Sequence, residues 1–363
     1  MNIVLSNYLN ILRWLAALFV VSGHLRSFLF VDYKDINHAT IIDKIFYFIT
    51  GFGHEAVIVF FVLSGFLVGG SILSKSQLNF KKYFIKRFSR IYIVILPALV
   101  IGFSLDFIGG HYLNYSGLYS NYFHISAMNY NVIDRITLNN LLLNLIMMQK
   151  SLSTPLGSNG PLWSLAYEWW YYILFPLIIY IYTNQHRIIS ILIIIFLSFT
   201  LTQNIFFYFT IWLLGALLFK YKIKFYIPTK ISLILIFIIL ILIRIDMITA
   251  NFISDFILAI FIVNFINSLI NTKHKNKVYL KKFNERMADF SYSLYLFHFP
   301  FFVFLGSVIS IYILPIVKLQ PNLSTYIFYI IFLIVIYIYS FLMYKLFESK
   351  TNILRDKLYK LTA

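Results

Sequence analysis

The sequence predicts an all-α polytopic integral membrane protein with about ten transmembrane helices and both termini cytoplasmic. Three observations carry this. Of 363 residues, 61% are hydrophobic, 20% aromatic and only 12% charged, a balance suited to a chain whose solvent is lipid. Apolar runs long enough to cross a bilayer recur along the chain. The basic residues gather in alternate loops, which fixes an orientation.

Taken in order, the runs lie near residues 8–29, 54–73, 84–107, 162–182, 188–202, 205–219, 231–247, 252–270, 290–315 and 322–347. Two of them are short. Lys75, Lys81, Lys82, Lys86, Arg87 and Arg90 follow the second run; Lys220, Lys222, Lys224 and Lys230 follow the sixth; Lys273, Lys275, Lys277, Lys281, Lys282 and Arg286 follow the eighth. A cytoplasmic location for these loops accounts for the formal net charge of +17 without nucleic acid. The first run lacks the charged start and small-residue cleavage site of a signal peptide, so it is expected to be retained. With no cysteine, disulfides, thiolate metal sites and cysteinyl intermediates are excluded. The expected organisation is a membrane domain over 1–348, with an outer loop over 109–161 rich in Tyr, Asn, Ser and His (His111 and His124 among them), and a basic cytoplasmic tail over 349–363.

Inside the first run, Arg13 and His24 are separated by ten residues. Eleven steps of about 100° bring both side chains to one helix face, roughly 16 Å apart along the axis. Ionisable groups within a membrane are costly and usually face a bundle interior or a wet cavity. Glu168, in the run that returns from the outer side, lies at the depth predicted for His24, so the two can meet if their helices are neighbours. A carboxylate beside an imidazole fixes its tautomer and raises its basicity. His54 and Glu55 are the alternative partners.

Arg87 and Arg90 share a helix face at the cytoplasmic boundary, where guanidinium groups suit phosphate. Satisfying topology and binding lipid headgroups explains them at least as well. Ser291, Tyr295 and His298 form a polar stripe that either lines a cavity or hydrogen-bonds between helices. Ser64, Gly65, Gly69 and Gly70 read as close helix packing. Trp163, Trp169, Trp170 and the loop tyrosines suit a sugar platform, although an interfacial aromatic belt explains most of them.

Taken together, Arg13 with His24, Phe60 to Phe66 (FFVLSGF), Arg87 to Tyr92 (RFSRIY), Pro161 to Glu168 (PLWSLAYE) with Tyr171 and Pro176, and Ser291 to His298 (SYSLYLFH) resemble the membrane acyltransferase-3 family. The order and spacing of these segments cover nearly the whole chain. The resemblance implies acetyl-CoA as donor and, as acceptor, a hydroxyl of a surface polysaccharide or lipid-linked glycan. It places catalysis on His24, Glu168 and Arg13, donor binding on Arg87, Arg90 and Arg13, and acceptor binding on Trp163, Ser164, Tyr171, Tyr295 and His298, with no metal. Family members often carry a Glu-Pro pair after the last helix; here Glu348 is followed by Ser349, and Glu348 is given no catalytic role.

The expectation is therefore an O-acetyltransferase of the bacterial inner membrane that transfers directly, without an acyl-enzyme. Its expected partners are the glycan acceptor and membrane lipids, with no nucleic acid, and a homo-oligomer is admitted. A glycan or small-molecule exporter and a non-catalytic scaffold are the alternatives. An exporter commonly shows paired Gly- or Pro-interrupted segments in two related halves, a symmetry this sequence lacks.

Overall fold

The computed structural model describes residues 3–74, 78–123, 125–221, 223–271 and 280–362; Lys75, His124, Lys222, Lys273, Lys275 and Lys277 lie outside the described residues. Among the described residues there is no strand, and helices account for the architecture. Helix α1 (Ile3–Leu29) carries both Arg13 and His24. Helix α2 (Ile41–Ile49) starts at a reciprocal capping box, in which the Thr40 hydroxyl accepts from Asp43 N–H and the Asp43 carboxylate accepts from Thr40 N–H. Helix α3 (Gly53–Ser64) runs through a π-helical turn at Gly65–Gly69 into α4 (Gly70–Leu73). Helix α5 (Phe80–Tyr112) follows, and the segment 113–160 contains helix α6 (Leu138–Leu145) and short 3₁₀ turns.

Helix α7 (Trp163–Tyr182) is entered through a turn whose Pro161 has no N–H to leave unpaired. The remaining helices are α8 (Arg187–Thr200), α9 (Gln203–Tyr221), α10 (Thr229–Arg244), α11 (Phe252–Asn271), α12 (Lys281–Asp289), α13 (Ser291–Tyr312), α14 (Leu323–Leu346) and α15 (Thr351–Thr362). Asn322 caps α14 by accepting from Thr325 N–H. The basic tail is itself helical.

A helix stands at each of the ten predicted positions, yet among the described residues seven helical stretches are long and apolar enough to cross a membrane. The difference has a physical origin in three helices. Helix α8 has 14 residues and α10 has 16, which at about 1.5 Å each reach roughly 21–24 Å against a hydrocarbon core of roughly 30 Å. Helix α7 has the length, but Glu168 and its cluster of Trp and Tyr lower its mean hydropathy. Seven such helices make this a multi-pass membrane protein.

The chain divides into two units: Met1–Leu18, Gly51–Phe80 and Trp170–Ser291 form the first, and Phe19–Thr50, Lys81–Trp169 and Tyr292–Ala363 the second. In the first unit, the π-turn after α3 packs against α9. A Cβ at Gly65 would overlap the Trp212 carbonyl, and one at Gly215 would overlap that of Val62. The two glycines thus let these backbones touch, the use of small residues expected where lipid supplies no hydrophobic drive between helices. Trp212 Nε1–H donates to Ser64 Oγ at 3.0 Å, and Ser64 is also 3.1 Å from the Tyr172 hydroxyl. The packing role read for Ser64 and Gly65 is what the structure gives them.

In the second unit, the segment 113–160 is organised by one buried amide. Asn144 Nδ2–H donates to the carbonyls of Asn140 and Thr154, while its Oδ1 accepts from Leu156 N–H. Asp106 of α5 anchors the end of the segment by accepting from Ser158 N–H at 2.7 Å and Ser158 Oγ–H at 2.8 Å. Gly157 has φ +54, and a Cβ there would overlap that carboxylate. Only glycine satisfies both conditions without strain.

Candidate active site

His24 Nδ1 lies 3.0 Å from His298 Nε2, with the two rings parallel to within 3°. His298 is fully buried. Its Nδ1 lies 2.8 Å from the Tyr295 carbonyl and 3.0 Å from that of Leu294, both in the preceding turn of α13. Carbonyl oxygens only accept, so His298 Nδ1 carries a proton and, in the neutral ring, Nε2 is an acceptor. His24 must then donate from Nδ1. Its Nε2 is left with the lone pair, the tautomer a general base requires.

His24 lines a cavity of about 400 Å³ that belongs wholly to the second unit. The segment before α7 supplies the rest of its wall, including Ser126, Tyr130, Arg135, Lys150 and Trp163. The Arg135 guanidinium sits over the Tyr130 ring, its Cζ 3.1 Å from the centroid. Burial pushes the Tyr130 phenol up despite the adjacent cation, and burial pulls Arg135 down.

The start of α7 is tied to α13 through Tyr295. The Tyr295 hydroxyl donates to the Pro161 carbonyl at 2.6 Å, so Ser164 Oγ–H, 2.7 Å away, donates to the Tyr295 oxygen. Asn159 Nδ2–H reaches the Leu296 carbonyl. These bonds hold Trp163 at the cavity wall.

The structure revises several sequence expectations. The hydrogen-bonding partner at His24 Nδ1 is His298, whereas Glu168 interacts electrostatically with Tyr83 and Tyr295. Depth alone matched His24 to Glu168; it could not show which side chain of α13 fills the same level. His54 pairs instead with Asp255, at 2.8 Å. His298, expected to touch the acceptor, is enclosed and acts on His24. Tyr171 is fully buried in the aromatic core of the first unit, against Phe61, Phe209 and Trp212. It is not part of the wall of the cavity that His24 lines. Of the residues expected to bind acceptor, Trp163 lines the cavity and Ser164 and Tyr295 brace it.

Arg90 also differs from a free phosphate ligand. Its Nη2 lies 2.8 Å from Glu348 Oε1, and its Cζ is 5.2 Å from the Tyr292 ring centroid. Glu348 is 2% exposed. Its Oε2 accepts from Ser293 N–H at 3.0 Å and Ser293 Oγ–H at 2.6 Å, capping α13. The positive charge of Arg90 is thus already matched, while Arg87 is half-buried on the same helix. With Ser349 in place of a following proline, the Glu-Pro pattern does not mark Glu348 in the sequence. The available signal was an acidic side chain at a helix end otherwise marked by Lys345 and Lys350.

No curated protein and no solved structure matches the chain. A family model does: the acyltransferase domain of the acyltransferase-3 family matches residues 6–345, nearly the whole sequence. With its apolar helices and a paired histidine beside a cavity, the chain belongs to the acyltransferase-3 family and is an acyltransferase enzyme.

Proposed function

We propose that this enzyme is an O-acetyltransferase of the bacterial inner membrane, moving acetyl from acetyl-CoA to a sugar hydroxyl of a surface polysaccharide or lipid-linked glycan. The observation that carries the reading is the tautomer of His24, whose Nε2 lone pair belongs to a side chain in the cavity wall. In the proposed topology of ten spans, both termini and the basic loops are cytoplasmic. The cavity then lies toward the outer side, where the acceptor is.

The acceptor hydroxyl gives its proton to His24 Nε2 as its oxygen attacks the thioester carbonyl. The tetrahedral intermediate collapses with cleavage of the C–S bond, and the departing CoA sulfur receives the proton from His24. His298 holds the ring in this tautomer. Direct transfer is the proposed route, since the chain has no cysteine and no serine at an evident base-paired position. Arg87 is the principal ligand proposed for CoA phosphates. Arg13, on α1, is also assigned to the donor. Arg90 contributes through its pair with Glu348. Glu168 is kept in the reading as a charge near Tyr295, which braces the cavity.

The direct test is calorimetric titration of acetyl-CoA into monodisperse protein in detergent, followed by mass spectrometry of envelope glycans from cells with and without the gene. Saturable binding and a gene-dependent loss of acetyl groups are expected. Absence of binding overturns the donor assignment.

A further inference from the structure

Resting on that acetyltransferase reading, we infer that the acceptor delivered to His24 is anionic: a sugar that carries a carboxylate or a phosphate near the hydroxyl to be acetylated. The wall of the cavity that contains His24 includes two cations, Arg135 and Lys150, and no Asp or Glu. Among the described residues, neither cation has a carboxylate within ion-pair distance.

The acidic residues nearby are engaged elsewhere or lie off the wall. Asp106, whose charge reaches Tyr130, is held by the N–H and hydroxyl of Ser158. Asp134 is adjacent in sequence but exposed and is not part of the wall.

Arg135 is held by its side chain and Lys150 by its backbone. Arg135 is seated on the Tyr130 ring. Lys150 has φ +71, a conformation held by its N–H bond to the Ser153 carbonyl at 2.8 Å and one that lysine rarely adopts unaided. Two positive groups in the wall of one cavity without a counter-charge are unfavourable in themselves. A carboxylate or phosphate on the acceptor supplies that charge through charge-assisted hydrogen bonds. Arg135 offers such a group a planar fork and Lys150 a point charge, while Trp163 and Tyr130 offer apolar faces to the ring. A neutral glycan would leave both cations unmatched.

The test uses saturation-transfer NMR on detergent-purified protein with three probes that share one ring: methyl β-glucuronide, glucose 6-phosphate and methyl β-glucoside. At least one charged probe should bind about tenfold or more tightly than the neutral glucoside, as expected for hydrogen bonds to charged groups. The preference should shrink in high salt and in Arg135→Gln and Lys150→Gln. Stronger binding of the glucuronide assigns a sugar acid, and stronger binding of the phosphate a phosphorylated sugar. Equal binding of charged and neutral probes by the wild type, binding of none, or a charge preference untouched in both variants overturns the inference. Acetyl-CoA titrated into the same preparation keeps the two readings apart. If the donor binds while charged and neutral probes bind alike, only the anionic acceptor falls; if the donor does not bind, the acetyltransferase reading falls.

Discussion

His24 donates from Nδ1 to His298 Nε2 across 3.0 Å, and His298 in turn donates from Nδ1 to the carbonyls of its own helix. This chain of protons runs one way because it ends on groups that only accept. It fixes the tautomer of His24 as a carboxylate does elsewhere, but brings no negative charge to raise its basicity.

The first prediction concerns this pair. His24→Ala should lower acetyl transfer by roughly 10² to 10⁴, the range supplied by a positioned general base. His298→Ala should lower kcat with little change in KM and should shift the pH profile, because the His24 tautomer is no longer fixed. His298→Gln, which can still accept from His24, should recover part of the loss. Residues acting as a unit are non-additive, so the double alanine variant should be no slower than His24→Ala. Additive losses in single-turnover kinetics would show that His298 acts on its own.

A second prediction follows from Arg90 and Glu348. Glu348 is almost fully enclosed and Arg90 is partly exposed, so the pair is weaker than a wholly buried one, and the cost of breaking it falls on the carboxylate left behind. Arg90→Ala should destabilise the protein by about 1–3 kcal/mol, less than full burial would give. Arg90→Gln with Glu348→Gln should be milder than Arg90→Ala, since it removes both charges and leaves an amide oxygen at position 348 to accept from Ser293. Thermal unfolding in detergent reads the order, and a double variant less stable than Arg90→Ala would contradict it.

These two pairs also show where the sequence was legible. Helix positions followed from apolar runs, because in lipid the backbone must satisfy itself within each segment, and all ten positions are helical. His24 stood out because an imidazole within a span is rare. What periodicity cannot supply is the neighbour across a helix interface. Glu168 matched His24 by depth, yet His298 holds the bond. Outside α6, the segment 113–160 is held by Asn144 and Asp106 bonding to backbone groups, contacts that leave no periodic pattern. Glu348 was passed over through a missing proline, although its role depends on the carboxylate and not on the residue after it.

The third prediction tests the close contact of α9 with the π-turn. Gly65→Ala and Gly215→Ala each place a methyl group against a backbone carbonyl, which cannot move as a side-chain tip can. Each should destabilise by about 1–3 kcal/mol, as overpacking does. Gly102→Ala is the control: its Cβ would first meet the Pro300 ring at 3.3 Å, and a smaller effect is expected. Melting temperatures for the three variants in one detergent decide between a backbone clash and a general intolerance of added methyl groups.

The last prediction concerns the donor. Phosphate recognition by a guanidinium is charge-assisted, so high salt should weaken acetyl-CoA binding and Arg87→Glu should weaken it further. Arg87→Lys should also lose affinity, because lysine keeps the charge but not the planar fork. Arg90→Lys should have a smaller effect on donor affinity, since Arg90 already shares its charge with Glu348. Calorimetry on wild type and the three variants separates the roles. Binding unaffected by Arg87→Glu would move the phosphates elsewhere, while equal losses from the two lysine substitutions would show that both arginines contact the donor and that the ion pair opens to receive it.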